Sequence, residues 1–144
     1  MLDFTAVTLE FIKQIRLIEQ KLSLSNQLPV SQMRLLLKMD QTEVNLRFLN
    51  QELALDPSTL SRQLAGLTQK GYVQAVSKSD KRQRDYALTA SGWAKHQDLL
   101  SQLASLEQAL VANWAPEEVQ LLTTLLNRLT TRTHKLTLIP DNNS

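Results

Sequence analysis

Between Asp56 and Leu64 the chain reads DPSTLSRQL, and a guanidinium (Arg62), three hydroxyls (Ser58, Thr59, Ser61) and a carboxamide (Gln63) crowd into that run. None of these groups titrates near neutrality. They suit hydrogen-bonded recognition of a polar surface, and the planar fork of Arg62 matches the paired acceptors of a guanine edge or a phosphate. A second cluster, Lys78, Lys81, Arg82 and Arg84 around Asp80, offers cations to a polyanion. Catalytic constellations are missing: His96 and His134 lie far apart with no carboxylate at a ligand-like spacing, and no Gly-rich phosphate loop or Ser or Cys nucleophile signature occurs. A metal site from His96 with Asp98 is outweighed by the plainer reading of two surface histidines. The expectation is therefore a protein that is not an enzyme, with no metal and no cofactor.

The elements that must position the two clusters follow from periodicity and end signals. Phe4, Val7, Phe11, Ile15, Ile18 and Leu22 step by three or four and predict a first helix with one apolar seam. LPVSQMRLLLKM predicts a second, with Pro29 at its head, Ser31 as a candidate cap, and Met33, Leu36, Leu37 and Val30 on its buried side. Asn45 caps a third, carrying Leu46, Leu49 and Leu53 inward and Gln51 and Glu52 outward. The fourth starts at Asp56 and Pro57 and ends at Gly71, where a left-handed residue belongs. Its Leu60, Leu64 and Leu67 share one side, which leaves Ser58, Arg62, Ala65 and Gln69 on the other, flanked by Thr59, Ser61 and Gly66.

After Gly71 the period drops to two. YVQAVS and RDYALT flank KSDKRQ, a hairpin with a cationic tip. A long helix then runs from TASGW to Trp114 on Leu99, Leu103, Leu106 and Leu110, and Pro116 with Glu117 and Glu118 starts a last one bearing Val119, Leu122, Leu126 and Leu129. The closing residues 140–144 should fray.

Composition agrees with a mainly helical chain, since 144 residues carry 3 Gly and 4 Pro. The net charge of +2 conceals an uneven distribution. Residues 57–86 hold six cations against two acids, while the remainder holds ten against twelve. The absence of Cys removes disulfides and thiol redox sensing and fits a reducing, cytoplasmic setting. The opening residues, interrupted by Asp3, Glu10 and Lys13, fit neither a signal peptide nor a membrane span.

Three helices, the last two joined by a tight turn, followed by a hairpin, compose a winged helix-turn-helix. In that arrangement the helix after the turn enters the major groove of double-stranded DNA, about 12 Å wide, and its first residues reach base edges. Ala65 and Gly66 would permit close approach, free first-turn N–H groups would hold a phosphate, and Arg62 would pair with a guanine. The hairpin cations would meet backbone or minor groove. A polar helix face is also simply what solvent permits, but here the cap, the hairpin and the confined positive charge coincide. A winged helix serving protein interaction or non-specific DNA structuring is the alternative, and it predicts no sequence preference.

The run LALDPSTLSRQLAGLTQKGYV followed by SDKRQRDYALTASG resembles the MarR family of dimeric winged-helix transcription regulators. That family joins a stv(s/t)R recognition helix, an Le.kGlv exit, an Asp-x-Arg wing and an LT..G start of a long helix. The resemblance implies that Arg82 enters the minor groove and that Asp80 braces it or a neighbouring cation. It also implies a mainly α fold with a small β-hairpin wing and long terminal helices that form a dimerisation base. Residues 1–28 would be the N-terminal dimerisation helix, 29–92 the DNA-binding region and 93–139 the C-terminal dimerisation helices, all in one structural domain. The partners implied are double-stranded DNA, a second copy of the chain, and a small aromatic or phenolic effector for which Arg16 and Trp93 are candidate lining residues. A repressor on a pseudo-palindromic operator is the implied role. Three positions depart from the family: Ala75 stands where an Arg is common, the wing is a residue shorter, and Asn50 replaces a small Ala where the helices cross.

Overall fold

Side-chain caps set most helix boundaries in the computed structural model, which describes residues 1–77 and 84–137. Helix α1 (Phe4–Asn26) starts where Asp3 accepts from the Thr5 N–H at 2.8 Å and stops at Gln27, a left-handed residue with φ 53°. Helix α2 (Val30–Lys38) begins after Pro29 without a side-chain cap, and Ser31, expected to cap it, lies within the helix. A two-residue strand β1 (Val44–Asn45) leads into α3 (Leu46–Leu53), capped by Asn45 through the Arg47 N–H at 2.8 Å. Helix α4 (Pro57–Gln69) follows the Ala54 turn, and Gly71 takes φ 80° after it. Then come β2 (Val73–Val76), β3 (Asp85–Leu88), α5 (Ala90–Leu110) and α6 (Pro116–Thr137).

The chain divides into two compact units, one ending at Gln102 and the other beginning at Leu103, within α5. In the first unit α2 packs against α1, α3 and α4. That three-sided environment explains why Leu35, fully buried, joins Met33 and Leu36 in the core, while Leu37 is only partly covered. One apolar stripe suffices for a helix lying on a surface, whereas a helix surrounded by others needs more. Even Gln32 is buried; its Oε1 accepts from Lys70 Nζ at 2.8 Å, tying α2 to the end of α4. Outside the core, the Arg34 guanidinium grips Glu19 of α1 through both carboxylate oxygens at 2.7 Å.

The sheet has three antiparallel strands in the order β1, β3, β2, with Val44 opposite Tyr86 and Ala75 opposite Tyr86 on its other side. The hairpin follows the sequence pattern, but β1 does not, because two residues are too few to show alternation. Asn45 joins the layers. Its Oδ1 caps α3 while its Nδ2 donates to the buried Asp85 carboxylate at 3.1 Å.

The start of α5 is fixed by Thr89. Its hydroxyl accepts from the Gly92 N–H at 3.0 Å and donates to the Gly71 carbonyl at 2.5 Å, and its own N–H meets the Tyr72 carbonyl at 3.0 Å. Gly92 rests directly on Tyr72: an added Cβ would lie 2.9 Å from its carbonyl carbon and closer still to the oxygen. One turn on, His96 is buried rather than at the surface as expected, with Nδ1 2.8 Å from the Leu36 carbonyl and Trp93 edge-on at 5.5 Å. A carbonyl only accepts, so Nδ1 carries the proton and closes the end of α2.

In the second unit, α5 ends at Leu110 rather than running on to Trp114, and Asn113 turns the chain with φ 69°. Glu118 accepts from the Ala115 N–H at 2.8 Å at the start of α6. No α6 residue is buried, and Leu122, Leu126 and Leu129 stand open on its apolar side.

Two substitutions test this packing. Gly92→Ala drives a methyl into backbone that cannot swing aside and should lower stability by about 1–3 kcal/mol, read from urea unfolding. The half-buried Asn50 has an Oδ1 without a hydrogen-bond partner, so Asn50→Ala, which removes that oxygen and adds a better helix former, should raise stability by about 1 kcal/mol in the same assay.

Candidate nucleic-acid interface

Burial of Leu60, Leu64 and Leu67, none more than 1 % exposed, fixes the rotation of α4 about its own axis. Covering each leucine contributes about 1.5–3 kcal/mol, so no other rotation competes. Ser58, Ser61, Arg62, Ala65 and Gln69 are then exposed, while Thr59 and Gln63 are half-covered at the margins. Gly66 departs from expectation. It faces α2, where a Cβ would lie 2.5 Å from the Gln32 amide nitrogen, so its small size serves helix crossing and not approach to a ligand.

The first turn of α4 is organised by Asp56. One carboxylate oxygen accepts from the Ser58 hydroxyl at 2.6 Å and the Thr59 N–H at 2.9 Å, and the other accepts from the Thr59 hydroxyl at 2.7 Å. These donors, the Ser58 hydroxyl first and the Thr59 hydroxyl next, hold the Asp56 carboxyl well below its ordinary range. The expected phosphate site on free first-turn N–H groups is therefore taken: Pro57 has no N–H, and those of Thr59 and Ser58 face the Asp56 carboxylate.

Strand β2 begins at Val73, two residues after Gly71, and packs against α4, so the hairpin stands beside that helix. Of its cations Arg84 is exposed, and its backbone carbonyl accepts from the Leu46 N–H at 3.1 Å. Lys78, Asp80, Lys81 and Arg82 lie outside the described residues. Ala75, where the resembling family commonly has an Arg, is exposed on β2.

Sequence reasoning placed Asn45 as the cap of α3 but missed its bond to Asp85, and it missed Asp85 and Arg47. Asn45 and Asp85 anchor the hairpin to α3, and the signal was an acid inside an otherwise β-prone run. Arg47, exposed on the first turn of α3, fell outside the stretch in which charge was counted. The two candidate effector residues differ: Arg16 is exposed, whereas Trp93 packs against the core beside His96. Among the described residues no group of His, Cys, Asp and Glu is arranged to hold a metal ion, and no helix is long and apolar enough to cross a membrane.

Residues 34–92 match the family profile of the winged helix DNA-binding domain. No curated protein sequence matches the chain. Its fold is that of MarR-type proteins. A MarR protein from Peptoclostridium difficile superposes with a TM-score of 0.81 at 21% identity, covering 94% of each chain. Streptococcus pneumoniae FabT, solved in complex with DNA, gives 0.81 at 17% identity over 93% of this chain and 99% of that one. Wild-type Escherichia coli MarR in its apo form gives 0.73 at 21%, covering 90% and 97%.

The Asp56 cap carries a pH signature. Its folded carboxyl titrates below the ordinary 3.8, so its contribution is complete above that pH and fades as pH falls toward the folded value. Wild type should melt above Asp56→Ala at pH 7, and the gap should close progressively below pH 4; a gap independent of pH would contradict the cap.

Proposed function

We propose that this chain, a MarR-type winged-helix protein, is a sequence-specific regulator of transcription that binds double-stranded DNA as a homodimer. In this reading it is a cytoplasmic repressor on a pseudo-palindromic operator, released by a small aromatic or phenolic ligand and needing no cofactor. The observation that carries the reading is the α4 face: inside a winged helix DNA-binding domain, burial of the leucine stripe leaves Ser58, Ser61 and Arg62 open beside the hairpin. Helices so placed insert their N-terminal residues into the major groove.

The roles divide by chemistry. Arg62 donates a bidentate pair to a guanine, with Ser58, Thr59, Ser61 and Gln63 on neighbouring edges. Lys78, Lys81, Arg82 and Arg84 meet the flanking backbone or minor groove, and Asp80 braces that cluster. Arg47 joins them, since the first helix of such a motif crosses the phosphate backbone.

Dimerisation accounts for the open apolar seams. Phe4, Val7 and Phe11 on α1 and Leu122, Leu126 and Leu129 on α6 are each more than a third exposed. An exposed apolar seam of this kind on each helix marks an interaction site. We assign residues 1–28 and 93–139 to this base, 29–92 to DNA binding and 140–144 to a tail. Two-fold pairing sets the recognition helices about one DNA turn, ~34 Å, apart.

Selection of bound duplexes from a random pool tests the proposal. A palindromic winner is expected. A pool without a preferred sequence would favour a non-specific or protein-binding winged helix. On the selected operator, Arg62→Ala should cost about 1–3 kcal/mol and erase preference at one base step. Equal loss on operator and random duplex would remove Arg62 from base reading.

A further inference from the structure

A hydroxyl has one proton to give and two lone pairs to offer. At the start of α4 two hydroxyl protons are already committed, since Ser58 donates to one oxygen of Asp56 at 2.6 Å and Thr59 to the other at 2.7 Å. An ionised carboxylate accepts only, so the direction of both bonds is settled by the charge on Asp56. Those same bonds favour the ionised form. Three donors converge on this carboxylate, which makes the arrangement stiff as well as directed.

We propose that Asp56 is a specificity-determining residue that never needs to touch a base: by taking the hydroxyl protons of Ser58 and Thr59, it turns both side chains into pure acceptors toward DNA. This rests on the reading of α4 as the groove-inserted helix. Ser58 is the more exposed of the two and shares its outward side with Arg62.

The consequence is a chemical choice. On the major-groove edge the donors are the N4 amino group of cytosine and the N6 amino group of adenine, whereas guanine O6 and N7, thymine O4 and every phosphate oxygen accept. An acceptor-only Ser58 is satisfied by cytosine or adenine. It finds nothing to bond on guanine's O6 and N7 or thymine's O4. The carboxylate also disfavours phosphate at this helix end, so the first turn is directed to base edges while cations elsewhere hold the backbone. Arg62, a donor only, requires the opposite type of partner, guanine. Together they specify adjacent steps of contrary polarity.

Selection from the random pool with wild type, Ser58→Ala and Asp56→Gly decides the matter. The Ser58 step is the one whose preference Ser58→Ala abolishes. Wild type should prefer cytosine or adenine there by about 3- to 10-fold, the worth of one hydrogen bond. Asp56→Gly puts a residue that the cap position tolerates in place of the carboxylate and frees both hydroxyls to donate, so preference at that step should level out or move toward guanine or thymine while the Arg62 step keeps its guanine. If Asp56→Gly does not fold, the preferred base can be altered instead. Purine in place of adenine, or a pyrimidinone lacking the 4-amino group in place of cytosine, should weaken wild type by the same factor and leave Ser58→Ala unchanged. A wild-type preference for guanine or thymine at the Ser58 step overturns this inference alone, as does an Asp56→Gly profile identical to wild type, or a Ser58→Ala profile that loses preference nowhere. A pool with no preferred base at any step overturns the regulator reading, and this inference with it.

Discussion

The burial of three leucines on one side of α4 governs everything that follows from it. Leu60, Leu64 and Leu67 have no alternative partner once α2 and α3 close over them, so the helix is held at a single rotation. The polar side is thereby presented by exclusion. Its exposed residues are not held by packing, so they can vary without disturbing the core. Folding is thus carried by one face of a short helix, and the other face is left open.

Around that core, neighbouring elements are stitched by short polar contacts rather than by a large sheet. Thr89 binds the end of α4 to the start of α5 through Gly71 and Tyr72, and Gly92 lets the two backbones meet. His96 closes the end of α2 from α5, and Lys70 reaches Gln32 from α4. Each contact satisfies a backbone or side-chain group that burial would otherwise leave costly. The result positions α4, the hairpin and the start of α5 relative to one another with few residues.

Much of this was legible in the sequence because it depends on local signals. Asp56 and Pro57 mark the start of α4, Gly71 its exit, and the leucine spacing its inward face, so the outward side chains followed directly. What stayed hidden depends on distant partners. The environment of α2 buried Leu35, the crossing with α2 claimed Gly66, and the carbonyl of Leu36 drew in His96; none of these has a signature within its own helix. Strand β1 was invisible for another reason, being defined by pairing with β3 and not by any alternation of its own. On α4, residue types pointed to Ser58 and Thr59, but only geometry shows that Asp56 occupies their hydroxyl protons and the Thr59 amide.

The carboxamide of Asn45 grips α3 with its oxygen and β3 with its nitrogen. A hairpin clamped in this way at its root is free to differ at its apex: the pairing of Val76 with Asp85 closes the ladder whatever number of residues passes between them. Since the entropic cost of a loop grows only slowly with its length, insertions or deletions there are tolerated without disturbing the helices. The connection between the two strands can thus change in length while the scaffold beneath stays in register.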